Sequence, residues 1–274
     1  MTDTVITKLP MKKIFRKAKF ATFIPKGITK IPSNKKAVIS DLFLLRNDLN
    51  WKTEFELLNV RGLIEGNNKV QPGDEATFWF FDRDGIKLGE KQIAIPDVGR
   101  FTIKFADFVD SEFRNANTFA VFHTKVPSVD VLDRSYLAER GYTGYEYFGV
   151  GLKGYVHGNL DAVALADNKL EMLGNAGLMQ RRYTVQHELT GPAEYEFFFT
   201  NPTARSQRIV GYTRATSGKF TRIGKLNLKS RGSGKFQVKV AAGETSRFQI
   251  KSRLYLGRPV VFRVADQTMD VFHG

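Results

Sequence analysis

The chain has 274 residues, of which 42% are hydrophobic and 26% charged, a balance that excludes wholesale disorder and allows one large domain or two of ordinary size. It contains no cysteine, which excludes disulfides, thiolate nucleophiles and cysteine-ligated zinc. The 42 Lys and Arg outnumber the 28 Asp and Glu, and the resulting net charge of +14 favours polyanionic partners.

The first twenty residues are interrupted throughout by Lys and Arg, so we expect no conventional signal peptide. No stretch of the sequence reaches the roughly 18 uninterrupted apolar residues of a membrane-spanning helix. We therefore expect no transmembrane segment, and a location in the cytoplasm or in a virion or other particle assembled there.

Residues 1–36 are predicted to form a basic N-terminal arm. They contain ten Lys and Arg against the single acid Asp3, a local charge of +9, and three prolines interrupt any regular element. One interpretation places this arm on a polyanion, and the other packs its phenylalanines on the domain with its lysines in solvent. The candidate polyanion-binding residues are Lys12, Lys13, Arg16, Lys17 and Lys19.

Beyond the arm, short apolar runs alternate with turn signals about every dozen residues, which predicts a β-sandwich or barrel. The 23 phenylalanines agree with strands, since aromatic side chains favour pleated, half-buried surfaces. In the hairpin turn at 82–85 we expect Gly85 to adopt a positive φ. The predicted strands are 38–45, 54–57, 76–81, 87–95, 101–105 and 119–124.

The second half of the chain resembles the first. Residues 193–201 resemble 53–59, 234–240 resemble 99–105, 260–264 resemble the strand that starts at Phe119, and 271–274 resemble 155–158. A period above 100 residues indicates duplicated domains rather than a solenoid. We predict an all-β protein of two tandem β-sandwich domains, Ig-like or jelly-roll-like. They span residues 37–165 and 183–274, with a linker at 166–182.

A long segment, 125–154, has no counterpart in the second half and is predicted to be a loop rich in Tyr and Arg. Both residue types are common at binding hot spots, and loops of this length are uncommon unless functional. The alternative is an ordered loop that covers a sheet edge or the cleft between domains. The candidate ligand-binding residues are Arg134, Tyr136, Arg140, Tyr142, Tyr145 and Tyr147, together with His157 on the following strand.

Other chemistry has weaker support. The glycine pattern at 149–154 precedes an expected strand instead of opening a helix, which argues against dinucleotide binding. The four histidines lack metal-ligand spacing, so we predict no metal and no cofactor. Acids near the loop could form a catalytic pair if the fold brings two of them together. These are Asp130, Asp133, Glu139, Glu146 and Asp161.

Three functions remain open at this point. The first is a non-catalytic binding protein that recognises an anionic polymer or glycan, such as nucleic acid or an acidic glycan, through the Tyr/Arg loop and the basic arm. The second is a structural assembly protein, a homo-oligomeric capsid or particle component whose arm faces nucleic acid. The third is a carboxylate- or His–metal-dependent enzyme acting on a carbohydrate. The loop favours the first half as the active one.

Overall fold

The computed structural model describes residues 29–34, 37–58, 75–95, 100–105, 113–123, 138–139, 141–159, 162–215, 218–255 and 257–274. Within these ranges the chain forms 21 β-strands, so the predicted all-β class is confirmed. The strands are β1 (Val38–Asp41), β2 (Phe43–Leu44), β3 (Trp51–Leu58), β4 (Glu75–Asp82), β5 (Lys87–Ala94), β6 (Arg100–Lys104), β7 (Ala116–His123), β8 (Ala138–Glu139), β9 (Tyr142–Tyr147), β10 (Leu152–His157), β11 (Ala162–Ala166), β12 (Lys169–Met172), β13 (Ala176–Thr184), β14 (Leu189–Thr190), β15 (Ala193–Thr200), β16 (Gln207–Ala215), β17 (Thr221–Leu228), β18 (Ser233–Val240), β19 (Thr245–Leu254), β20 (Val260–Ala265) and β21 (Thr268–His273).

These strands form five small sheets, which we number 1 to 5. Sheet 1 has the order β12-β11-β1-β8, sheet 2 the order β2-β7-β4-β5 and sheet 3 the order β10-β9-β3-β6. Sheet 4 has the order β18-β15-β20-β21, and sheet 5 the order β13-β19-β16-β17 with the short β14 beside β19. The pairings are antiparallel except for the parallel contact of β1 with β8.

Two core clusters each lie within one half of the chain. Sheets 2 and 3 enclose the first cluster, in which Phe55 and Phe119 are completely buried. Sheets 4 and 5 enclose the second cluster, in which Phe197 and Phe248 stack with ring centroids 3.9 Å apart. Strong period-two alternation along β18 and β19 places one apolar side of each strand in this second core.

Two further core clusters join sheets whose contact the sequence does not predict. Trp79 of β4 packs with Val163 of β11, so sheet 1 covers the second face of sheet 2. Trp51 and Tyr145 of sheet 3 pack against Phe262 of sheet 4, which joins the two halves of the chain. The five sheets form a propeller-like arrangement of five blades.

This arrangement corrects the prediction of two tandem sandwiches, which would each close their own core. Strand β2 is only two residues long, so it cannot cover the apolar side chains of β9 and β10 in sheet 3. Sheet 4 of the second half covers them instead, through Phe262 and Met269. The segment 166–182, predicted as a linker, contains β12 and most of β13.

The repeated segments nevertheless occupy matching places. Sheet 3 read as β10-β9-β3-β6 has the same order as sheet 4 read as β21-β20-β15-β18. Glu56 faces Thr102 across β3 and β6, and Glu196 faces Gln237 across β15 and β18, as the two resemblances imply. The predicted match of 260–264 to the Phe119 strand is wrong, because β20 pairs with β15 as β9 pairs with β3. Several strands of the first half are short and partly apolar, so sequence similarity over five residues does not distinguish β7 from β9 as the equivalent of β20.

The turns follow local chemistry. Gly85 has a φ of +79°, as expected for the β4–β5 hairpin. A Cβ on Gly85 would lie 1.9 Å from the carbonyl oxygen of Ser230, so this turn also packs tightly on the second half. Residues 142–157 form the β9–β10 hairpin, which makes the last part of the predicted loop regular strand. The glycine pattern at 149–154 spans its turn and start of β10, a context that does not suit a dinucleotide.

Candidate functional site

Four of the predicted ligand-binding residues lie in described parts of the structure, and they do not converge on one site. Tyr142 is 44% exposed on the solvent face of sheet 3, whereas Tyr145 is 1% exposed on the opposite face. Tyr147 borders a cleft between the halves, and His157 lies exposed at the end of β10. Arg134, Tyr136 and Arg140 of the loop lie outside the described residues, as do Lys12, Lys13, Arg16, Lys17 and Lys19 of the arm.

Tyr145 is a core residue. Its hydroxyl donates to the carbonyl oxygen of Leu44 at 2.8 Å, and its ring packs edge-on against Phe262 with centroids 4.8 Å apart. Burial raises the pKa of Tyr145 above its usual value. Tyr142 and Tyr145 lie on opposite faces of sheet 3 because side chains alternate along a strand, so residues three apart point in opposite directions.

The cleft between the halves is built around Arg46. The guanidinium of Arg46 lies 4.3 Å from the ring centre of Trp51 and 4.7 Å from that of Phe262. It forms ion pairs with Asp48 at 2.9 Å and with Glu196 of the second half at 2.5 Å.

The cleft of ≈ 380 Å³ beside Arg46 is bordered by Tyr147 and Lys235 among others. Arg46 itself is 8% exposed, so it is a structural tie between the halves rather than a docking group.

The carboxylate of Glu196 forms ion pairs with two basic side chains, Arg46 and Lys235. Lys235 donates to its Oε1 and Gln237 donates to the same oxygen at 2.9 Å. Burial alone would raise the pKa of Glu196, but the hydrogen bond from Lys235 and the charge of Arg46 hold it below the usual value. A carboxylate so paired remains ionised in the folded protein to a lower pH than in the unfolded chain.

Two histidines that the repeat places in equivalent positions touch each other at the junction of the halves. The rings of His157 and His273 have centroids 4.9 Å apart, and Nε2 of His273 donates to the carbonyl oxygen of His157 at 2.7 Å. Burial lowers the pKa of His273 to about 4, although the bond to His157 acts in the opposite direction. The pair therefore has a structural role at neutral pH, with His273 uncharged.

Acidification is expected to destabilise the fold between about pH 6.5 and pH 4. In this window a free histidine takes up a proton while the folded His273, with a pKa of about 4 against 6.5, stays neutral. The unfolded state then binds more protons, so the free energy of unfolding falls as the pH falls. Thermal unfolding from pH 7 to pH 4 measures this. His273→Gln should flatten the dependence, and an equally steep fall in that variant would contradict the assignment.

A strongly basic surface lies on the outer face of sheet 5. The inner side of β19 carries the buried Phe248 and Ile250, so the alternate residues of the strand point outward. Basic side chains occupy this outward side on all four main strands. They are Arg182 on β13, Arg208 and Arg214 on β16, Arg222 and Lys225 on β17, and Arg247, Lys251 and Arg253 on β19. We call these eight residues the basic face.

The register places basic residues in neighbouring positions across strands. Val210 at the centre of β16 faces Lys225 on one side and Lys251 on the other, and it is only 6% exposed. Long lysine stems that lie over an apolar centre keep their ammonium groups in solvent. Arg214 faces Arg247 directly, and Arg247 also pairs with Glu188 at 3.6 Å. Like charges at such spacing favour a bound anion that relieves their repulsion.

The equivalent face in the first half is of a different kind. Sheet 2 has the order β2-β7-β4-β5, which matches β13-β19-β16-β17 of sheet 5. Its outer side carries Trp79, Phe81 and Phe122, and sheet 1 covers it. The second half has no such cover over its face within the described residues, and in place of aromatic side chains it presents charge.

Sequence reasoning missed the basic face although two signals were present. Residues 176–274 contain 17 Lys and Arg against six Asp and Glu, a net +11, whereas residues 37–175 have a net −6. Arg247, Lys251 and Arg253 also share one parity along a strand whose other parity is apolar. The opposite charges of residues 37–175 and 176–274 partly cancel, so the net charge of the chain beyond the arm does not show the excess in the second half.

Comparison with protein-family models and with curated proteins finds no match. Among the described residues no three His, Asp or Glu side chains cluster so as to hold a metal ion. No helix in the described ranges has the length and apolar character needed to cross a bilayer. The fold and surface of this chain are therefore the basis for any functional proposal.

Proposed function

We propose that this protein is a non-catalytic binding protein for a linear anionic polymer, which lies along the basic face of sheet 5. The single observation that carries the proposal is the alignment of eight Lys and Arg on one side of one sheet. Arginine presents a planar fork that matches phosphate, sulfate or carboxylate groups, so nucleic acids and acidic glycans share the required chemistry.

The spacing of the face supports an extended ligand over a single anion. Residues two apart on a strand are about 6.7 Å apart, and neighbouring strands are about 4.8 Å apart. Arg247, Lys251 and Arg253 on β19 thus form a row that a polymer with regularly spaced charges can follow. In this proposal the arm provides a second set of charges for the same ligand. They lie close together in the sequence, at Lys12, Lys13, Arg16, Lys17 and Lys19.

Neutralising part of the face should weaken binding and reduce its dependence on salt. The face variant carries Arg208→Gln, Lys225→Gln and Arg253→Gln. The control variant carries Arg114→Gln, Lys169→Gln and Lys239→Gln, which are all exposed and lie outside sheet 5. Each phosphate contact contributes about 0.7 to the slope of log K against log salt for a single strand, so the face variant should lose about 2.

The measurement is binding across a salt series to a single-stranded oligonucleotide and, separately, to a sulfated glycan, with the full chain and a chain lacking residues 1–36. A difference between the two polymers identifies the source of the anionic groups. Loss of slope in the face variant with the control unchanged supports the proposal. Equal losses in both variants would attribute retention to net charge alone and reject the face as a site.

Particle assembly is a second candidate, and the charge asymmetry between the halves favours it. Residues 37–175, with a net charge of −6, and residues 176–274, with +11, could attract each other head to tail in neighbouring copies. Such assembly predicts large species in sedimentation at low salt that disappear at high salt. A single monomeric species at every salt concentration would reject this candidate.

We also infer that the two halves descend from one ancestral unit of two sheets. The matching strand orders of sheets 3 and 4, and of sheets 2 and 5, support this inference. On this view duplication left one copy with its outer sheet covered by sheet 1 and the other with a charged outer sheet free for a ligand. The second half then carries the binding function, not the half with the longer loop.

A further inference from the structure

The solvent face of sheet 3 carries two half-exposed tyrosines side by side among ordered polar groups. Tyr142 on β9 is 44% exposed and Tyr155 on β10 is 46% exposed. Register places Tyr155 opposite Gly144, and His157 opposite Tyr142, in adjacent rows on the same face. In the next strand Glu54 faces Gly144. Three strands thus contribute to one surface, which we call the platform, on the opposite side of the sheet from the core.

Gly144 makes the platform flat. The phenol of Tyr155 crosses the glycine and donates its hydroxyl to Oε1 of Glu54 on the far strand. A Cβ on Gly144 would lie 2.7 Å from Cε1 of Tyr155, so any larger residue would lift the ring. The ring therefore lies against the sheet, with one face on the glycine and the other towards solvent.

The polar groups around the rings are held in place. Lys153 donates to Oε2 of Glu54 at 2.7 Å, which occupies the second oxygen of that carboxylate. Thr102 donates to Oε1 of Glu56 at 2.7 Å. Both glutamates are only 7% exposed, so these hydrogen bonds hold their carboxylates in fixed positions beside the rings. A rigid arrangement of this kind loses little conformational freedom when a ligand binds.

We propose that this platform binds an uncharged pyranose ring of a glycan. The apolar face of a sugar ring can stack on a flat phenol, and its hydroxyl groups can bond carboxylates and ammonium groups at the rim. On the same face of sheet 3, Glu54, Glu56 and Glu146 are balanced by Lys52, Lys153, Arg100 and Lys104. Lys153 pairs with Glu54 and Arg100 with Glu56, so the charges of this face are compensated within it. A compensated surface attracts a phosphate backbone weakly, so the site differs in ligand class from the basic face and does not depend on it.

The test uses the full chain in affinity electrophoresis through gels that contain neutral polysaccharides, namely xylan, mannan, mixed-linkage β-glucan and soluble chitin oligosaccharides. At least one should retard the wild type, with the same retardation at low and high salt. Tyr155→Ala and Tyr142→Ala should each weaken binding roughly tenfold, because each removes one stacking ring. Tyr155→Phe keeps the ring and should retain most of the affinity.

The control is Tyr212→Ala, a half-buried tyrosine on sheet 5 that should leave retardation unchanged. Should Tyr155→Ala fail to fold, Tyr142→Ala and Tyr155→Phe still decide the matter. No retardation by any of the four glycans would overturn the proposal, as would wild-type retardation of Tyr142→Ala. Binding to an oligonucleotide that is lost in Tyr142→Ala would also overturn it in favour of nucleic acid. The face variant of sheet 5 should behave as the wild type here, which separates failure of one site from failure of the other.

Discussion

Replacing Arg46 by alanine is expected to lower the free energy of unfolding by about 3–5 kcal/mol, because it removes one of the two charges that compensate the buried carboxylate of Glu196, together with the packing of the guanidinium. The guanidinium is 8% exposed and joins Asp48 of its own half to Glu196 of the other half. It also lies over the rings of Trp51 and Phe262. Alanine removes the ion pairs and the ring contacts together, and Lys235 remains as the main countercharge of Glu196.

Urea unfolding measures the loss, with Arg83→Ala at an exposed position as the matched control. Arg46→Met keeps an apolar stem on the rings and should lose less than alanine. Adding Glu196→Gln to Arg46→Ala should restore part of the stability, since the buried carboxylate that has lost one of its two countercharges is then removed. If Arg46→Ala unfolds within about 1 kcal/mol of the wild type, the proposed tie between the halves is wrong.

The second large effect is expected at Phe262, the centre of the shared core. Its ring is completely buried, with centroids 4.8 Å from Trp51, 4.8 Å from Tyr145 and 5.3 Å from Phe198. Truncation of such a ring to alanine typically costs about 3–5 kcal/mol, because the surrounding side chains fill the cavity only in part. The cavity opens between sheets 3 and 4, so both halves of the chain should lose stability.

Calorimetry together with tryptophan fluorescence tests this shared loss. Trp51 and Trp79 both lie in the first half, so their fluorescence reports on that half while the substitution is in the second. Phe262→Ala should lower the fluorescence midpoint in step with the calorimetric one. Phe220→Ala, at a partly buried position, is the control and should shift both far less. An unchanged fluorescence midpoint in Phe262→Ala would mean that the halves unfold independently.

Local signals in the sequence predicted the strands well. The runs at 76–81 and 87–95 and the turn with Gly85 became the β4–β5 hairpin, since alternation and turn chemistry depend on neighbouring residues. The resemblance of 234–240 to 99–105 also led to the right partners, because β6 and β18 pair with the repeated strands β3 and β15. Patterns of this kind need no knowledge of the tertiary structure.

The packing between sheets could not be read in the same way. Nothing local distinguishes Tyr145, buried against Phe262, from Tyr142, exposed on the opposite face, until the register of β9 is known. The cover that sheet 4 gives to sheet 3 depends on β2 being too short, which is a fact about the whole assembly of strands. The basic face was accessible from charge and parity, but it required the boundaries of the second half to be drawn first.

The cover that sheet 4 provides also has a consequence during synthesis. The aromatic side chains of Trp51 and Tyr145 leave the ribosome long before β20 and β21 have been made. Until then the nascent first half presents an apolar surface that chaperones recognise and that neighbouring nascent chains can adhere to. A product truncated before Phe262 would keep that surface permanently and become a target for proteolysis. The apolar surface of the first half is therefore covered only when the last two strands have been synthesised.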